Sequence, residues 1–200
     1  MVLGALVLVA GGTGCKPKAV SELNDTTDAL FTVLADETAQ AAAGKTQVIV
    51  IARSGPDGKP AEVAAQAVAA LKKKQLAPEV KTVSLGDPMK FDSYGWSAAN
   101  FMEVVQQNPD AGAVVSLVGA PVLKGPDLAR VPAKRPPVLV VAVSHMGTIP
   151  GVPAEQRVIG PLLNSKIVQL AIVNGTETPT ETTEAHKVFG QTYTRLRAAR

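Results

Sequence analysis

Five apolar bursts punctuate the chain, and helical periods fill most of the intervals between them. Gln47 to Ala52, Ala113 to Val118, Val138 to Val143 and Ile167 to Val173 run apolar without polar alternation. That is the pattern of parallel strands covered on both faces by helices. Val80 to Leu85 is mixed and is expected at a sheet edge. Val20, Leu23, Leu30, Val33 and Leu34 recur at helical spacing and predict a leading helix over Val20 to Ala43, with Gly44 as its stop. Pro60 opens a second helix over Ala61 to Gln75, with Val63, Ala67, Val68 and Leu71 on one side. Ser93 or Asp92 is expected to cap a third, carrying Trp96, Phe101, Val104 and Val105 and ending before Asn108-Pro109. A shorter helix is expected from Pro153 to Asn164, interrupted at Gly160-Pro161. From Thr180 the tail sets Ala185, Val188, Phe189, Thr192 and Leu196 at helical spacing, with Glu181 and Glu184 first and Arg195, Arg197 and Arg200 last. That charge order suits a helix dipole. Pro121 to Pro137, with five prolines, and Gly175 to Thr183 are expected as loops.

Strand and helix in alternation imply right-handed crossovers, and hence a three-layer α/β fold. The expected sheet is doubly wound, mostly parallel and five-stranded, in the order 2-1-3-4-5. With 200 residues and a hydrophobic fraction of 46%, the chain can bury one sizeable core. The organisation expected is a signal at 1–14, a tether and leading helix at 15–44, and a single α/β domain at 45–200. The formal charge is only +3 and aromatics make up 4%. Lys72-Lys73-Lys74 is the one basic run, and it sits where a predicted helix ends. A nucleic-acid surface needs clustered basic residues beside stacking aromatics, so no nucleic-acid partner is expected.

The start of the chain bears on location rather than chemistry. Val2 to Ala10 is an unbroken apolar run of nine residues, followed by the small residues Gly11-Gly12-Thr13-Gly14 and then Cys15. At about 1.5 Å per residue it reaches less than half of the roughly 30 Å a bilayer core requires. It suits the apolar region of an export signal. Gly12-Thr13-Gly14-Cys15 resembles the lipobox of a bacterial lipoprotein. The resemblance implies lipidation of Cys15, with the membrane as partner, and a place in the bacterial cell envelope, lipid-anchored on the periplasmic side. Lys16 after the cysteine implies outer-membrane sorting in a two-membrane cell. Cys15 is the only cysteine, so an intramolecular disulfide is ruled out. The alternative takes Val7 to Gly14 as the first strand and glycine turn of a nucleotide-dependent Rossmann-type enzyme, with Gly11 to Gly14 under a pyrophosphate. That pattern wants a third glycine near position 17 and an apolar helix behind it, where this chain has Lys16-Pro17-Lys18. No cofactor is expected.

Asn108 to Ser116, Pro137 to Val143 and Leu162 to Val168 resemble successive units of a type I periplasmic sugar-binding domain. The resemblance implies a flavodoxin-like, periplasmic-binding-lobe-like architecture. In that family each such domain is one lobe of a two-lobed receptor. This length has room for one lobe, so a closing cleft is not expected and no ligand residue is carried over. The function expected is a non-catalytic domain that binds a small polar ligand or a protein partner.

In an open doubly wound sheet, ligands bind beyond the carboxyl ends of the strands. Those ends fall at Arg53 and Ser54, Asp87, Gly119 and Ala120, Ser144 and His145, and Asn174, with Trp96 nearby. Arg53 could pair with a carboxylate or phosphate, and Trp96 could stack on a ring. The structural alternatives are a solvated charge at Arg53, a turn former at Asp87 and a packed indole at Trp96. His145 has the pKa for proton chemistry near neutrality, which a hydrolase or transferase would use. Yet Ser144 and His145 are adjacent and point to opposite sides of a strand end. No spacing indicates a metal site, and no catalytic residue is assigned.

Overall fold

The computed structural model describes residues 18–54, 59–85, 96–143, 154–178 and 183–199, with side chains described from 25 in the first stretch and from 159 in the fourth. The elements follow in the order α1 (Lys18–Ala42), β1 (Gln47–Arg53), α2 (Glu62–Lys73), β2 (Ala77–Val83), β3 (Trp96–Ser97), α3 (Ala98–Gln107) and β4 (Ala113–Ser116). Then come β5 (Pro121–Val122), α4 (Gly125–Leu128), β6 (Val138–Ala142), α5 (Ala154–Asn164), β7 (Leu170–Asn174), α6 (Glu184–Thr192) and β8 (Tyr193–Arg197). The main sheet has six strands in the order β2-β1-β4-β6-β7-β8. Its first five strands are parallel, in the expected 2-1-3-4-5 order.

Side-chain alternation along the strands divides the core in two. Val48, Val50 and Ala52 of β1, Ala113 and Val115 of β4, Leu139 and Val141 of β6, and Leu170 and Ile172 of β7 face a layer built from α1, α2 and α6. Ile49 and Ile51, Val114, Val138 and Val140, and Ala171 and Val173 face the layer of α3 and α5. Both sides of every central strand are therefore apolar, which is why the sequence shows runs rather than alternation. Leu30 and Leu34 of α1 are fully buried on the first face, each contributing about 1.5–3 kcal/mol of transfer free energy. Gly112 lets α1 close on the sheet: a Cβ there would lie 2.9 Å from Ala42 Cβ.

Four local expectations are corrected. The tail does not stay helical. α6 stops at Thr192, and Tyr193 to Arg197 pair antiparallel with β7 as a sixth strand. The reason lies far away in sequence, in the carboxylates that hold Arg195 and Arg197. Trp96 precedes α3 instead of lying inside it: the helix is capped by Ser97, whose Oγ accepts from Asn100 N at 3.2 Å. The proline-rich segment is not all loop, since Pro121–Val122 pairs in parallel with Trp96–Ser97 and Gly125–Leu128 forms one helical turn. α5 runs through Gly160-Pro161 because Pro161 is exposed while Ile159, Leu162 and Leu163 are buried against the sheet. Among the described residues, no helix is long and apolar enough to cross a membrane.

Candidate functional site: the carboxyl rim of the sheet

Five parallel strands deliver their carboxyl ends to one rim. β1 is the topological switch, because the chain leaves it first towards β2 and later returns beside it as β4. Crossovers that depart to opposite sides leave a crevice between two neighbouring strand ends. Here that position lies between Arg53-Ser54 and the turn that follows Ser116.

Arg53 ends β1 exposed, in register with Val83 of β2. Its carbonyl accepts from Ala61 N at 3.2 Å, and Ser54 bridges to Pro60, so the returning chain fixes both positions. Across the crevice, Ser116 ends β4 two residues earlier than the apolar run does. Its buried Oγ donates to Gly119 O at 2.6 Å and accepts from Val118 N at 3.4 Å, turning the chain. Gly119 sits at φ +83°, a conformation glycine adopts without the Cβ penalty. Leu117 N donates to Ile51 O and Gly119 N to Val141 O. The amides of Leu117, Val118 and Gly119 are thus committed within the fold and are not free donors on this wall. Arg53 presents a guanidinium suited to bidentate pairing with a planar anion.

Of the expected site residues that are described, Arg53, Trp96 and Asn174 do not form one cluster. By strand parity, Arg53 lies on the α3 and α5 side, whereas Asn174 continues the Leu170–Ile172 series on the α1 side. The two strands are three spacings apart, about 14 Å. Trp96 is fully buried, with its ring edge-to-face against Phe101 at a centroid distance of 5.2 Å. Its ring is engaged in packing, and its buried Nε1 has no hydrogen-bond partner among the described residues. Cys15, Asp87, Ser144 and His145, like Gly11 to Gly14, lie outside the described residues. Among those described, no group of three His, Cys, Asp or Glu side chains could hold a metal ion.

A second polar concavity, about 530 Å³, lies between α1, α2 and α6, and the sequence reading missed it. Thr32, Asp36, Glu37 and Gln40 of α1 line it with Lys74, Thr183, Ala185 and His186. Thr183 caps α6, and its Oγ1 lies 2.6 Å from Nδ1 of buried His186. His186 Nε2 is 3.9 Å from Asp36 Oδ2, and the other oxygen of Asp36 pairs with Lys74. The Thr183-to-His186 spacing at a helix start was visible in the sequence. Its partner, Asp36, was not, since it arrives from α1. The cluster fastens α6 to α1 and α2, and its charged groups are already paired with one another.

Beside it, Glu37 accepts from Arg195 Nη1 at 2.7 Å and from Arg197 Nη2 at 2.6 Å. Glu177 takes the other side of Arg195, at 2.7 Å from Nη2, and its second oxygen accepts from Arg195 N at 2.8 Å. Burial acts to lower the Arg195 pKa, but the two carboxylates outweigh it and the net shift is upward.

No protein-family model matches the chain. No curated protein matches it. Solved structures do resemble it. An ABC transporter solute-binding protein from Burkholderia graminis, in complex with D-arabinose, is 16% identical over 75% of this chain and 47% of its own, with a TM-score of 0.42. A glucose-galactose binding protein from Geobacillus stearothermophilus is 10% identical over 82% of this chain and 50% of its own, with a TM-score of 0.42. An ABC transporter substrate-binding protein from Desulfitobacterium hafniense, in complex with Leu, is 8% identical over 82% of this chain and 42% of its own, with a TM-score of 0.40. The chain spans half the length of these proteins or less. At such identities no residue's role passes from them to this chain.

Proposed function

We propose that the chain is a non-catalytic, lipid-anchored α/β domain of the bacterial envelope that binds a small polar solute at the carboxyl rim of its sheet. Supporting the binding half is the switch point: the crossovers through α2 and α3 lie on opposite faces of the sheet beside β1, and the exposed Arg53 and Ser54 stand at its end. Asp87, Ser144 and His145 follow strands that end at the same rim, and are proposed as further contacts from sequence position alone. Asn174 and Trp96 complete the proposed set, the first as an outlying contact and the second as the packed floor. Supporting the anchored half is the apolar run closed by Gly12-Thr13-Gly14-Cys15.

Trp96 is the only tryptophan, so its emission reports on this end of the molecule without labelling. Titration with neutral monosaccharides, free amino acids and inorganic phosphate is expected to give a saturable change for one of these classes. Arg53→Ala should weaken that binding by about tenfold, the loss of one charge-assisted pair of roughly 1.5 kcal/mol. Saturable binding that Arg53→Ala leaves untouched would remove Arg53 from the site. No response to any of the three classes would count against solute binding itself.

A further inference from the structure

We infer that the carboxyl rim is the end of the domain that faces the membrane, so that a solute reaches it through the thin layer between protein and bilayer. The inference rests on the proposed anchor at Cys15 and adds an orientation that the anchor alone does not supply. α1 and β1 are joined by four residues, Ala43 to Thr46, and therefore run in opposite directions. The carboxyl end of α1 lies where the strands begin, with Ala42 packed beside Gly112 at the entrance to β4. Its amino end must then lie at the rim.

Lengths turn this direction into a position. From Ala42 back to Ala29, the first buried residue among those of the helix whose side chains are described, is about 20 Å at 1.5 Å per residue. β1 covers a similar distance from Gln47 to Arg53 at about 3.3 Å per residue. Ala29 is thus level with the rim, and Lys18 to Asp28 carry the helix roughly 16 Å past it. Cys15 precedes Lys18 by three positions, a reach of at most about 11 Å even when fully extended. An acylated Cys15 therefore holds the rim within about 27 Å of the lipid headgroups, while the opposite end of the sheet sits roughly 20 Å further out. Lys16 and Lys18 follow the anchor closely, and each adds about 1 kcal/mol of attraction to an anionic surface. The occupant of the space above the rim is accordingly the anionic lipid surface.

Two labels on one helix test this. Glu62 and Lys73 are exposed at opposite ends of α2, with Glu62 at the rim. Each is replaced by Cys in the full-length chain produced with its lipid, where the Cys15 thiol is blocked by acylation, and is then coupled to a donor dye. The proteins are bound to vesicles of phosphatidylethanolamine and phosphatidylglycerol carrying a headgroup acceptor. Energy transfer from Glu62→Cys is expected to exceed that from Lys73→Cys by about twofold or more, given roughly 16 Å between the labels. Equal transfer, or stronger transfer from Lys73→Cys, on a chain that stays vesicle-bound would overturn the orientation and leave the anchor standing. A chain that does not bind vesicles and whose Cys15 has an unmodified mass would overturn the anchor and the orientation together.

Discussion

Glu37 is the residue on which the last strand depends. It is only 7% exposed, lies on α1, and accepts from two arginines 158 and 160 positions away. Removing Glu37 takes one of two carboxylates from Arg195, whose side chain is 10% exposed, while half-exposed Arg197 is left to water. Glu37→Ala is therefore expected to lower unfolding free energy by about 3 kcal/mol, at the low end for such groups because Glu177 still engages Arg195. Urea denaturation checks this, and an unchanged midpoint would mean that the arginines find water instead. Tyr193, at the head of the same strand, carries a second prediction. Burial disfavours the phenolate and pushes the pKa up from 10.0 to about 12. An acid whose folded pKa lies above its unfolded value favours the fold while neutral. Its contribution is fully present below pH 10 and is lost between pH 10 and about 12, amounting to roughly 2–3 kcal/mol. Tyrosinate absorbance should show one tyrosine titrating late and together with loss of the fold; two normal titrations would contradict the burial.

The legibility of each element follows from where its determinants lie. Four of the parallel strands, β1, β4, β6 and β7, announced themselves because both of their faces are buried, and an apolar run is a local signal; β2, mixed in sequence and largely exposed, was legible only as an edge. Their order followed from connection lengths and handedness, which are also visible along the chain. β8 was not legible. Leu196 falls at helical spacing behind Val188, Phe189 and Thr192, yet Tyr193, Arg195 and Arg197 also alternate as in a strand. The choice is made by β7, Glu37 and Glu177, none of which is local. Ser116 likewise ended β4 early through a side chain-to-backbone bond that an apolar run conceals. At the rim, the strand ends were legible, but not the sides on which their residues fall, so Arg53 and Asn174 looked closer than they are. Glu177 has a further consequence at this scale, because its carboxylate occupies the outward amide of Arg195 on the sheet's edge strand. Unpaired edge amides are templates for another chain. Glu177→Ala is expected to raise self-association, seen as increased light scattering at concentrations where the parent chain stays monodisperse; equal scattering would show that the edge is protected by other means.

For the molecule as a whole, the sheet divides labour between its two ends. The strand starts are closed by Ala42 on Gly112 and by Arg135, which donates to Pro132 O at 2.8 Å and to Lys166 O at 2.7 Å. The rim gathers the loop connections, the switch between β1 and β4, and the amino end of the leading helix. The proposed solute site and the proposed membrane-facing side coincide there by topology. The competing location is the concavity around Asp36, Lys74 and His186, whose groups are already paired with one another. Amide chemical-shift mapping with the solute class that alters Trp96 emission separates the two directly. Solute binding at the rim predicts that the largest shifts fall at Arg53, Ser54 and Val118 to Ala120, with Asp36, Lys74 and His186 unmoved. Shifts centred on Asp36, Lys74 and His186 while the β1 and β4 ends stay still would contradict it.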